Sequence, residues 1–348
     1  MIATELRSAL LILGSLSLGG CLLLGTDAPC PAGQTCTSET PEGLFFGGTG
    51  LSDPTSSVDP ILPVAVGGIE TISALAGTNS ASPAFTGSFT AASADPSRFS
   101  VGAVTPPSVV VHGRAAGDSA LQLFEPGTTT LLGQVTVPVA ALSTATLFPS
   151  ELTFVEVSTP PTPWALLAGS AAVPLIVKLA DASGRRLVDE ATTLTATSGA
   201  LTRQAWDLFA VTAAPAPGAM SFAIQAGGAS FAATAPVVAA VDAITLSEIS
   251  LFETPPPVPV VGTDPLFFCL AAHSGGSLVA GATWALVPSA NLVVTTDVLP
   301  GSPSCVTVEG NGDGAGTLEV TAGGFTQSFP FTIDPSTTRR PGHPPIDR

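Results

Sequence analysis

The chain has 348 residues, of which only 10% are charged, with a formal net charge of −16, 36 glycines, 33 prolines and no tyrosine. The length points to two or three domains, and Lys178 is the only lysine, which excludes a nucleic-acid partner because phosphate binding needs clustered Lys and Arg. Mean hydropathy of +0.50 raises the question of membrane spans. The two most apolar internal stretches, 164–179 and 229–246, are broken by Pro174 and Lys178 and by Pro236 and Asp242, so neither offers the ~20 clean residues of a spanning helix. A transmembrane barrel would need aromatic girdles, against 6% aromatic residues here.

In chain order, the first element is an apolar run from Leu10 to Leu18 followed by Gly19-Gly20-Cys21. It is too short to span a bilayer and has the length of a signal-peptide core ending in small residues. It resembles the signal peptide and lipobox of bacterial lipoproteins, in which Leu18-Gly19-Gly20 would precede the cut cysteine. The resemblance implies that residues 1–20 are removed, that Cys21 carries a diacylglyceryl group, and that the rest lies outside the cytoplasm. Two or more acyl chains hold a protein stably at a membrane. Leu22, where such proteins carry Asp for inner-membrane retention, implies the outer membrane. Residues 21–57, rich in Gly, Pro, Thr and Ser and including Gly47-Gly48-Thr49-Gly50, read as a flexible tether. With Cys21 lipidated, an even set remains, Cys30, Cys36, Cys269 and Cys305, in a compartment that permits disulfides. Cys30 and Cys36 flank a turn-rich loop that can close, and Cys269 and Cys305 lie in one expected domain. The two loops would contribute roughly 2 and nearly 4 kcal/mol by loop entropy. A metal at Cys30 and Cys36 would need a second Cys or His pair nearby, so no cofactor is expected.

Between tether and tail lie segments 58–141, 142–241 and 242–334, with short alternating runs punctuated by Gly and Pro, the signature of β-sandwiches. The first passes through Val66-Gly67-Gly68-Ile69-Glu70-Thr71, Ser93-Ala94-Asp95-Pro96-Ser97 and Gly113-Arg114-Ala115-Ala116-Gly117 before the alternating Gln134–Val139. This order resembles bacterial Ig-like domains of the group-2 (BIG2) type. The third repeats it, with Trp284 where such domains place a strand-C tryptophan and Phe325, Phe329, Phe331 and Ile333 sharing one parity. The middle segment matches through Leu175–Leu179 and the Asp181-Ala182-Ser183-Gly184 turn. Residues 335–348 are expected not to fold. In Ig-like topology Cys269 would sit on strand B and Cys305 on strand E or F. Parity leaves open whether they bridge one sheet or two.

Chemistry-bearing residues are sparse. His112 lies on the alternating strand Val109–His112, His343 in the tail, and His273-Ser274-Gly275-Gly276-Ser277 reads as a Gly/Ser hairpin rather than a nucleophile elbow. Glu309-Gly310-Asn311-Gly312-Asp313-Gly314 has calcium-loop-like spacing, but the twelfth position is Val320 rather than a bidentate acid. Trp164, Trp206 and Trp284 read as core or domain-junction residues. Asp189-Glu190, being adjacent, would point to opposite faces of a strand. The expectation is an all-β, non-enzymatic, lipid-anchored surface protein of tandem Ig-like domains. It would act as a spacer, adhesion or interaction module toward a surface protein or polysaccharide. The alternatives are a periplasm-facing structural component of an envelope complex and a carbohydrate-active hydrolase.

Overall fold

The structure, a computed structural model, describes residues 44–48, 61–76, 83–150, 163–248, 260–262, 265–295 and 305–334. Its 26 regular elements are all β-strands, and no helix among the described residues is long and apolar enough to cross a membrane. The first sandwich uses β1 (Leu44–Gly48), β2 (Val64–Ala65), β3 (Ile69–Ala76), β4 (Thr90–Ser93), β5 (Phe99–Thr105), β6 (Ser108–Gly113), β7 (Gly117–Phe124) and β8 (Leu131–Ala140). One sheet runs β1-β3-β6-β5 and the other β2-β8-β7-β4. Period-2 alternation turns Ile72, Val109, Val111, Leu121, Leu123 and Val137 inward around Phe99.

The second domain follows with β9 (Thr144–Pro149), β10 (Trp164–Leu167), β11 (Val173–Ala180), β12 (Arg186–Leu187), β13 (Thr193–Ala196), β14 (Leu201–Arg203), β15 (Leu208–Val211), β16 (Gly218–Ala226) and β17 (Ala229–Val238). The third comprises β18 (Ala243–Glu248), β19 (Val260–Val261), β20 (Leu266–Ser274), β21 (Ser277–Ala280), β22 (Trp284–Pro288), β23 (Leu292–Thr295), β24 (Cys305–Gly310), β25 (Gly314–Ala322) and β26 (Phe325–Ile333).

All three domains are wired alike. When the strands of each are lettered in chain order A, A′, B, C, D, E, F and G, one sheet reads A-B-E-D and the other A′-G-F-C. These are β1-β3-β6-β5 with β2-β8-β7-β4, β9-β11-β15-β14 with β10-β17-β16-β13, and β18-β20-β24-β23 with β19-β26-β25-β22. A′ is parallel to G in each case. This is the immunoglobulin-like arrangement of two facing sheets, and it includes the middle segment, whose sequence match is the loosest. An extra short strand follows B in the second and third domains, β12 on β11 and β21 on β20. Two-residue Gly-Gly turns close three hairpins: Gly227-Gly228 (φ +53° and +75°), Gly275-Gly276 (+57° and +81°) and Gly323-Gly324 (+54° and +84°). Positive φ at both turn positions matches the twist of the flanking strands and strongly favours glycine.

One expectation is corrected. Leu44–Gly48, inside the stretch read as tether, forms strand A of the first domain and pairs with β3 over Ile72–Ala76. Phe46 is buried in the first core. A single apolar alternation of Leu44 and Phe46, followed at once by glycines, was too short to stand out as a strand. The other tether residues, with Cys21, Cys30 and Cys36, lie outside the described residues, as do residues 1–20 and 335–348. Cys269 and Cys305 stand directly opposite each other on β20 and β24, which are strands B and E, and are joined by a disulfide. The bridge therefore lies within one sheet. Phe268, Leu270, Val306 and Val308 turn to the core on the other face.

Candidate functional site at the domain junctions

The most distinctive chemistry lies where the domains meet. At the second junction, β10 pairs in parallel with β17 of its own domain and with β21 of the next. Domains two and three thus share one continuous nine-stranded sheet. Leu166 belongs to the second core, whereas its neighbour Leu167 packs against the third. The Gly323 turn of the third domain closes against Leu167 and Val241. This junction is apolar and held by a backbone ladder.

The first junction repeats the device with different chemistry. Strand A′ of the first domain, β2, meets the residue after β12 in a parallel bridge, Val64 with Val188. The Ala65 N–H donates to the Val188 carbonyl and the Val188 N–H to that of Pro63, each at 2.9 Å. The Gly227 turn closes on Val66 and Gly67, as Gly323 does on Leu167. A Cβ at Gly67 would lie 2.7 Å from the Gly227 carbonyl oxygen, and one at Gly227 2.6 Å from that of Val66. Both glycines have φ between +50° and +80°, at +78° and +53°, so side chains are excluded by space and by backbone conformation.

Here two carboxylates do what the strand ladder does at the second junction. Strand A of the first domain covers β3 from Ile72 onward, and Asp189 and Glu190 take the edge before it. The Ile69 N–H donates to Asp189 Oδ1 at 3.0 Å and the Thr71 N–H to Glu190 Oε1 at 2.7 Å, while the Thr71 hydroxyl donates to Glu190 Oε2 at 2.8 Å. The Glu190 N–H returns a bond to the Ile69 carbonyl at 2.7 Å. Asp189 also accepts from the Ala191 N–H at 2.9 Å and the Gly227 N–H at 2.7 Å. The pair follows the Val188 bridge in a turn rather than lying in a strand, which corrects the expected divergence across a strand. Arg203 donates to the carbonyls of Glu190, Ala205 and Trp206. Beside it Arg186 forms an ion pair with buried Asp207 at 2.6 Å and lies over the Trp206 ring, 5.5 Å from its centroid. Burial pushes the Asp207 carboxyl up, and Arg186 opposes that push.

Between the two donor amides sits Glu70, with no exposed surface and, among the described residues, no hydrogen-bond partner for either carboxylate oxygen. It shares the inward face with Ile72 and Ala74. Burial first, then the Glu190 charge, raises its carboxyl well above the ordinary value of 4.5. Its signal in the sequence is its parity with Ile72 and Ala74 on one alternating strand.

The residues singled out from sequence are not brought together. His112 lies on β6, and His273 on β20 contacts the Thr245 hydroxyl at 3.0 Å. Burial lowers the His273 pKa, opposed by Asp242. The His273–Ser277 stretch is the tight hairpin between β20 and β21. Residues 309–314 run from the end of β24 through a three-residue turn to the first residue of β25, with the Asn311 N–H bonded to the Asn291 carbonyl. Among the described residues no group of three or more His, Cys, Asp or Glu could hold a metal ion. Trp164 and Trp284 are half-buried against the second and third cores.

No family model matches the sequence, and no curated protein matches it. Solved structures with similar architecture include the surface-layer protein SbsC, domains 4–9, at 14% identity and a TM-score of 0.29, covering 83% of this chain and 47% of that one. The chain therefore spans about half the length of that S-layer fragment. The Escherichia coli adhesin FdeC matches at 14% identity and a TM-score of 0.23, over 84% of this chain and 98% of its own. An endo-fucoidan hydrolase of glycoside hydrolase family 107 matches at 14% identity and a TM-score of 0.26, over 79% and 42%.

Proposed function

We propose that the chain is a non-enzymatic surface module that carries contact sites away from a membrane on a stack of Ig-like domains. The observation that carries this reading is the repeated junction. Strand A′ of one domain lies against the strand after B of the next, and a Gly-Gly turn closes on it, at both interfaces. Such a device fixes successive domains in register, which is what a spacer needs and a catalytic cleft does not. The acids that come together, Asp189, Glu190 and Glu70, are engaged in or buried at that interface rather than converging on an open cleft. Lipidation of Cys21, closure of Cys30 with Cys36, and outer-membrane placement complete the proposal. The tether supplies reach, and sheet edges and inter-strand loops supply contacts to a surface protein or polysaccharide.

The test is protease shaving of intact cells, followed by detection of residues 58–334 beside a periplasmic control. Loss of the domains with the control intact is the expected result. Full protection would place them facing the periplasm, as a component of an envelope complex. In parallel, Cys21→Ser should release the chain from membranes, and a substituted protein still bound, with its leader uncut, would overturn the anchor.

A further inference from the structure

Glu70 is an expensive residue to place where it is. A buried carboxyl without a partner forfeits its hydrogen bonds with water, and its ionised form costs far more. An apolar residue at this position would have completed the core stripe of Ile72 and Ala74. The two junctions make the contrast sharper: the second is apolar and laddered, while the first places this acid between the two amides that grip the next domain.

We propose that Glu70 makes the first junction a pH-released hinge, closed while its carboxyl is neutral and opened when it ionises. In this hinge an ionised Glu70 reaches water by separation of β3 from Asp189 and Glu190, the groups to which its two flanking amides are bonded. Glu190 is the charge that acts on it, and of like sign. Asp189 is held by three backbone N–H groups. His112 on the paired strand β6 is in register with Ile69, one residue out of phase with Glu70, and so takes the opposite face. Arg203 is directed at carbonyls, including that of Glu190, and Arg98 and Arg114 at those of Ala116 and Pro96. Among the described residues, burial and the Glu190 charge are what act on Glu70, and both oppose its ionisation. A carboxyl raised in the folded state leaves stability intact below the ordinary value of 4.5 and removes it progressively as pH climbs toward the folded value. The hinge therefore opens with rising pH, and it stands whether or not the chain is surface-anchored.

Amide hydrogen exchange on the full chain, corrected for intrinsic rates, tests this between about pH 5 and about pH 9. Protection at Ile69, Thr71 and Ala65, whose N–H groups bond across the first junction, should fall by about tenfold or more, while Leu278 at the second junction and Leu121 and Leu123 in the first core hold theirs. Glu70→Gln should abolish the fall. An identical fall in that variant, no fall in the wild type, or loss shared by Leu121 and Leu123 would overturn the hinge. If Glu70→Gln does not fold, Glu190→Gln keeps an acceptor for the Thr71 N–H but removes the like charge. The folded value then drops, so the fall should level off at lower pH and be smaller. A fall of unchanged extent would equally overturn the proposal.

Discussion

Asp189 shows how much one carboxylate can organise: it accepts backbone N–H bonds from Ile69 in the first domain, from Gly227 in the distal hairpin of the second, and from Ala191 in its own turn. Asp189→Ala leaves those donors facing a void, and an orphaned donor costs more than a lost bond. We expect a loss on the order of 3 kcal/mol in chemical denaturation. Gly67→Ala and Gly227→Ala should each separate the junction, because the atom in the way is backbone carbonyl oxygen rather than a yielding side chain. Faster exchange at Ile69 and Thr71, with the β7 amides protected as before, is the readout. At this scale the sequence was half legible. The inward parity of Glu70 could be read from Ile72 and Ala74, but the clamp could not, since its partners are 119 and 120 residues apart and no local pattern links such positions.

At the level of elements, local chemistry was far more transparent. The Asp95 and Asp181 turns have the same form. Each carboxylate accepts from the hydroxyl and the N–H of a serine two residues on, Ser97 and Ser183, which holds both acids below the ordinary carboxylate value. Because those bonds require the ionised form, the turns should loosen as pH falls through the carboxylate range, opposite in sign to Glu70. Nuclear magnetic resonance of Ser97 and Ser183 between about pH 6 and about pH 2 would register it. The disulfide closes a separation of 36 residues between strands already paired. Cys269→Ser should lower the third domain's stability by up to about 4 kcal/mol in the chain-entropy picture, read as an earlier denaturant midpoint. Its placement within one sheet was not legible, because alternation fixes the face a cysteine takes but not which strand lies beside it. Strand β1 was missed for a related reason: its register comes from β3, and five residues with two inward apolar side chains carry little signal of their own.

For the molecule as a whole, the fold class was written in the spacing of alternating runs and glycine turns, while the joining of domains was not. Strand β10 belongs to two domains at once, which no reading of separate segments would suggest. Leu166→Pro removes a ladder N–H and an apolar side chain from the second core. Calorimetry should then resolve separate transitions for domains two and three where the wild type melts them together. The parallel A′–G pairing recurs in every domain and has a mechanical consequence. When the two ends of the chain are drawn apart, hydrogen bonds between parallel strands lie across the pull and must fail together, whereas those of a hairpin opened from its end fail one at a time. With its two flanking strands, β10 would divide the load between neighbouring domains, whereas the first junction would carry it through the Val64–Val188 bridge and the bonds to Asp189 and Glu190 together.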